Sequence, residues 1–232
     1  MPVVEIICLA NSIKWGGRCV AGLRTDGQGW VRPVSNSRHG SLDNRHYKLP
    51  DGSEPRPLDV LRISLRNPQP QPYQPENWLI DNVSWQLISR SASCNVINII
   101  QSYTESGSLL FGNTSDRVSF ESLSQNPTRS SLALIIPKNL NWYMTTSIVG
   151  KRQIRAQFVL SGLPYNLAIT DPLWIKRLSS LKYGYHPLSA AGVSKDEKIR
   201  LVISLGEPFQ DGYCYKLVAA IIILPDLCRN RF

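Results

Sequence analysis

The chain has 232 residues, 42% of them hydrophobic and 19% charged, enough apolar material for one large core or two small ones and too much for a disordered chain. Its 26 Lys/Arg against 17 Asp/Glu give a formal charge of +9, which favours phosphate-bearing or otherwise acidic partners without bearing on fold. The longest apolar run, 217–224, is far short of the ~20 residues of a membrane span. The opening MPVVEII lacks the basic start of a secretion signal, so a cytoplasmic protein with no membrane partner is expected.

Short runs rich in Val, Ile and aromatic residues, bounded by turn residues, predict strands at 3–10, 18–24, 29–35, 59–66 and 78–89. Asp26 to Gly29 (DGQG) supplies a hairpin turn between the second and third. Residues 36–58 read as a long loop, and Pro68, Pro70, Pro72 and Pro75 stiffen the connection between the fourth and fifth strands. A linker with a short helix at 93–102 is expected over 91–129. Further strands are expected at 131–136, 151–161, 165–170, 199–205 and 213–224. A helix is predicted at 172–182, with Asp171 as N-cap, Pro172 in the first helical position and Gly184 after the end. Trp174, Leu178 and Leu181 fall on one face of it.

Each half thus reads β-β-β-(loop or helix)-β-β. That order predicts a mainly-β fold of two five-stranded Greek-key barrels of the OB type, the second with its helix between strands three and four. The expected bounds are 1–90 for the first barrel, 91–129 for the linker and 130–232 for the second.

Five cysteines (Cys8, Cys19, Cys94, Cys214, Cys228) and three histidines (His39, His46, His186) are scattered without a CxxC or HExxH spacing. This speaks against a disulfide framework, and neither a metal site nor a cofactor is predicted. Cys8 and Cys214 lie in apolar runs and are expected to be buried as small hydrophobes.

The positive charge is lopsided. Residues 1–125 hold 12 Lys/Arg and 11 Asp/Glu, residues 126–232 hold 14 and 6. In KRQIRAQFVL, alternation sends Ile154, Ala156, Phe158 and Leu160 inward and puts Lys151, Gln153, Arg155 and Gln157 in one outer row, with Arg152 near the strand start. Lys176, Arg177 and Lys182 add charge on the polar side of the helix. Such a row can track a phosphate backbone, or it can be a solvated face that keeps the protein soluble. In GWVRPVS, Trp30 and Arg32 share a face, suited to stacking a base beside its phosphate. Val34 shares that face too, so a buried Trp with an edge Arg is the competing reading, and Pro33 marks an edge or bulge. The segment NSIKWGGRC brings Lys14 and Arg18 to a glycine turn between the first two strands, either a structural tight turn or a ligand-gripping loop.

CLANSIKWGGRCVAG, GWVRPVS, YQPENWLID, GNTSDRV, TDPLW, ISLGEPF and YCYKLVAAII, in that order along nearly the whole chain, resemble the bacterial dual OB-fold-containing domain family. The resemblance implies two OB-folds, suggests nucleic-acid or nucleotide binding by analogy of fold, and carries over no catalytic residues.

The acids Asp116, Asp171, Asp196, Glu197, Glu207 and Asp211 are dispersed, and Glu76 stands alone in QPENW, so an enzyme is the less supported reading. The leading expectation is a nucleic-acid-binding module for single-stranded DNA or RNA, using Lys14, Arg18, Trp30, Arg32, Lys151, Arg152, Arg155, Lys176, Arg177 and Lys182. The alternatives are a sensor for a small nucleotide or modified base, with its pocket near the glycine turn and TDPLW, and an adaptor with a protein partner. Oligomeric state is not readable from sequence.

Overall fold

The computed structural model describes residues 2–226 apart from 91, 106, 108 and 148; Cys228 lies outside them. The chain divides into two compact units, one built mainly from Met1–Gln71 and Pro75–Thr104, the other from Pro72–Gln74 and Glu105–Ile223. Among the described residues no helix is long and apolar enough to cross a membrane.

The first unit contains β1 (Val3–Lys14), β2 (Gly17–Arg24), β3 (Trp30–Val34), α1 (Asn44–Tyr47), β4 (Val60–Pro68), β5 (Asn77–Ile80), β6 (Gln86–Ser89) and α2 (Cys94–Ser102). Its strands run in the order β1-β2-β3-β5-β4, and β4 pairs again with β1, which closes a five-stranded barrel. β3 and β5 are parallel, as an OB-type Greek key requires. The inward residues of β1 (Val4, Ile6, Cys8) meet Val20, Val31, Leu61, Ile63 and Leu65 in the core. Between strands three and four the loop carries only the one-turn α1, capped reciprocally by Asp43 and His46.

The run 78–89, expected as one strand, is two. The Asp81 carboxylate accepts from Asn82 N at 2.9 Å and Arg66 Nε at 3.1 Å, turning the chain, and Trp85 drops into the core. β6 then adds to the side of β4. Pro33 sits where β3 has finished pairing with β2, which it meets only through Trp30 and Val31; no ladder donor is missing there.

The sequence passes through β7 (Thr104–Glu105) into β8 (Arg117–Ser119), α3 (Phe120–Gln125), β9 (Leu132–Ile135), β10 (Lys138–Thr146), β11 (Arg152–Leu160), β12 (Leu163–Ile169), α4 (Pro172–Arg177), β13 (Gly184–Pro187), β14 (Lys198–Pro208) and β15 (Tyr213–Leu224). The second unit's sheet follows β13-β10-β11-β12-β15-β14-β9, with β12 and β15 parallel. β9 and β10 are one strand interrupted at Ile136 and Pro137, so the OB order recurs, with α4 between the third and fourth barrel strands. The core holds Trp142, Phe158, Tyr165, Trp174, Leu201 and Val218 among others.

The short elements β7, β8 and α3, within the stretch expected as a linker, and the strands β10 and β13 were not expected, and the helix is shorter than 172–182. After Arg177 the bonds tighten to Ser179 N→Lys176 O (3.2 Å) and Leu181 N→Leu178 O (3.2 Å). Ser179 and Ser180 favour such turns over a continued helix. Asp171 caps α4 as expected: Oδ1 accepts from Leu173 N and Trp174 N, and Oδ2 accepts from Ile221 N on β15.

Candidate nucleic-acid interface

The outer face of β10, β11, β12 and β13 is an ordered array. Leu140, Trp142 and Met144 point inward, so Asn141, Tyr143 and Thr145 point out, as do Gln153, Arg155 and Gln157 on β11. Register aligns Tyr185, Tyr143, Arg155 and Ala168 in one row, and Pro187, Asn141, Gln157 and Asn166 in the next. Tyr143 and Tyr185 stack with ring centroids 4.5 Å apart, and Tyr185 is 70% exposed. A cation, two phenols and a row of amides therefore share one surface.

Arg155 is anchored. It donates to Asn166 Oδ1 (2.8 Å), Gln153 Oε1 (3.0 Å) and Asp116 Oδ2 (3.0 Å), and its side chain is 17% exposed. Arg152, at the start of β11, donates to Leu181 O and lies over the exposed ring of Tyr183, 5.7 Å from its centroid. That contact brings the Lys182–Tyr185 stretch to the strand start, where Lys151 and Lys182 are exposed. Lys176 is exposed on α4. Arg177 is occupied differently: Nε donates to Ala191 O (2.6 Å), Nη2 to Gly192 O (3.2 Å), and the guanidinium covers the Trp174 ring at 4.9 Å. It is a structural clasp.

The segment 112–118 (GNTSDRV) packs beside this face. Asn113 presents its carbonyl and Oδ1 to the Lys216 ammonium, both at 2.7 Å, and its Nδ2 donates to Arg117 O. Lys216 is buried, and burial pulls its pKa down to about 8. Asp116 is shared, 3.0 Å from Arg155 Nη2 and 3.3 Å from Arg117 Nε. β8 pairs with β15 so that Arg117 lies opposite Tyr215, and its guanidinium sits 5.4 Å from the Tyr213 ring centroid and 5.3 Å from that of Tyr215. Tyr215 Oη accepts from Arg117 Nη1 and donates to Asp211, which that bond holds below the usual carboxylate range. Next to Arg117 a groove of about 820 Å³ opens between this segment, α3 and Tyr213.

In the first unit, β1 and β2 join through a two-residue turn, Trp15 (φ 46°) and Gly16 (φ 78°). Positive φ at both positions is the geometry that matches strand twist. The tight-turn reading holds locally, and it leaves Trp15 exposed at the tip, stacked on His39 at 4.4 Å. Gly17 has no room for a side chain, since a Cβ there would lie 2.4 Å from Leu42 O. Lys14 is half-buried beside this turn. Arg18 is paired with Glu54, which also accepts from Asn11. Trp30 is half-buried, while Arg32 is fully buried, its backbone donating to Glu76 O. The Trp30–Arg32 pair is therefore neither an open stacking platform nor a buried Trp with an edge Arg, because the arginine is the buried member and the Trp the partly exposed one.

Of the ten residues singled out by sequence, the structure gathers Lys151, Arg152, Arg155 and Lys182 around one aromatic face. Sequence reasoning missed Tyr143, Tyr183 and Tyr185, whose signal is the alternation N-W-Y-M-T in β10 and Y-G-Y at the start of β13. Cys8 and Cys214 are buried as expected, and burial raises both thiols, Cys214 to about 12. Among the described residues no group of three or more His, Cys, Asp or Glu is placed to hold a metal ion.

The model of the dual OB-containing domain family matches residues 4–221. No curated protein matches the chain. Solved structures similar to it include a murine DNA-binding protein bound with double-stranded DNA, at 10% identity over 97% of this chain and 100% of that one, TM-score 0.36. The tetrameric p202 HIN2 is 8% identical over 97% and 94%, TM-score 0.30. The p204 HINb domain is 10% identical over 92% and 95%, TM-score 0.33.

Proposed function

From the premise that this chain belongs to the dual OB-containing domain family, we propose that it binds nucleic acid, and single strands in preference to duplex, on the β10–β13 face of its second unit. The observation that carries this is the Tyr185–Tyr143–Arg155 row. A single strand offers bases that can lie on tyrosine rings while its phosphates meet flanking cations, and each stacked base contributes ~1–3 kcal/mol. A duplex keeps its base faces covered, so the tyrosines favour the open strand. The amides Asn141, Gln157 and Asn166 supply donors and acceptors for base edges or sugar hydroxyls. The face also includes the second barrel strand and part of the third, the region OB-folds use for oligonucleotides.

The test is fluorescence anisotropy with labelled DNA and RNA oligonucleotides, single- and double-stranded, at two salt concentrations. Tyr185 is mostly exposed, so Tyr185→Ala leaves the fold intact. Its affinity for single strands falls about 5- to 100-fold if one stacked base is lost. Equal affinity for duplex, or a Tyr185→Ala protein that binds like wild type, removes this reading.

A further inference from the structure

The groove beside Arg117 is not used by the sheet face, and its chemistry differs. We infer that it is a separate binding site for a mononucleotide, that is, a phosphate monoester joined to a flat aromatic ring. The inference does not rest on the strand-binding reading.

Size, charge and shape support it. At about 820 Å³ the groove falls among small-ligand sites, which run ~300–1,000 Å³. Arg117 is the cation of its lining, and no lining residue is acidic. Arg117 is also pre-set. Its Nε is held by Asp116, its Nη1 by Tyr215 and Asp211, and its plane by two tyrosine rings. Nη2 makes no hydrogen bond among the described residues, so one edge of a fixed, charged fork remains for a phosphate oxygen. Ser115, Ser122 and Asn126 add hydroxyl and amide groups suited to phosphate or ribose oxygens, while Tyr213 and Phe111 offer rings for a base.

The segment is braced before any ligand arrives. Lys216 fixes Asn113 through two 2.7 Å bonds, and Asn113 Nδ2 fixes the Arg117 carbonyl. A loop held in this way does not have to be ordered on binding, which favours recognition of a small molecule with few contacts of its own.

The experiment is calorimetric titration of the intact protein with AMP, GMP, CMP and UMP, and in parallel with adenosine and inorganic phosphate. At least one monophosphate binds with a Kd of ~1 mM or tighter, and the nucleoside and phosphate each bind ~10-fold or more weaker. Ser122 is exposed on α3, so Ser122→Phe fills the groove without disturbing the core and abolishes the heat. Arg117→Lys keeps the charge but loses the fork and weakens binding ~10-fold. Silence from all four monophosphates, or unchanged binding by Ser122→Phe, overturns the assignment. Oligonucleotide anisotropy separates the two readings. Ser122→Phe keeps wild-type strand affinity and Tyr185→Ala keeps wild-type mononucleotide affinity if the sites are distinct. Loss of both activities in Ser122→Phe makes the groove a stretch of the strand path and ends the claim of separateness. Mononucleotide binding by a protein that holds no oligonucleotide sinks the strand reading and leaves this one standing.

Discussion

Lys216 is 1% exposed on β15, an ammonium inside a β-barrel domain satisfied by one asparagine and the nearby charge of Asp116. In the unfolded chain it keeps its proton to about 10.5, in the fold only to about 8. Between those values the unfolded state binds more protons, so this residue's contribution to stability rises with pH. Wild type should therefore gain on Lys216→Met between pH 8 and pH 10 in urea melts; a stability difference that stays flat over that interval means the ammonium is solvated. Residue-level reading from sequence succeeded where a side chain had one dominant preference. Cys8 and Cys214 were legible because a thiol in an apolar run has little else to do. Arg32 was not, because alternation assigns an outer face and cannot say that both faces of β3 are covered. Nor could sequence reveal that Arg155 meets Asp116, 39 residues away.

At the scale of elements, α4 shows how one carboxylate can settle a connection. Asp171 satisfies two orphan donors of the helix with Oδ1 and the Ile221 amide of β15 with Oδ2, so it joins the third barrel strand, the helix and the fifth strand. Its burial raises its pKa, desolvation outweighing the three backbone bonds. Asp171→Ala strands those three amides and is expected to cost about 2–4 kcal/mol, a capping loss plus an unsatisfied buried donor. Thermal melts read this, and a loss below ~1 kcal/mol means water replaces the carboxylate. The cap was plain from D-P-L-W. Strand β10 is faint in the sequence although its pattern is regular, because Lys138, Asn139 and Asn141 dilute the apolar signal and Pro137 severs it from β9. The single strand expected at 78–89 split because tertiary pairing with β3 on one side and β4 on the other outweighs local β propensity. The order of the barrel strands, by contrast, followed from counting apolar runs between turns.

For the molecule as a whole, the charge imbalance toward the second half was legible, and its use was not. Some cations are spent internally: Arg177 on carbonyls and Arg155 on Asp116. Exposed around the face and helix are Lys151, Arg152, Lys176 and Lys182. If all four meet phosphates of a single strand, log Kd against log salt has a slope of about 3 in magnitude, near 0.7 per contact. Replacing Lys151, Lys176 and Lys182 with Gln should reduce it by about 2, measured by anisotropy over a salt series. An unchanged slope places the phosphate path elsewhere on the protein. Asp116 adds a constraint that no count of charges contains. One carboxylate answers to two guanidiniums, one on the sheet and one at the groove, each through its own oxygen, so Asp116 is a common pivot and removing its charge would unseat both arginines together.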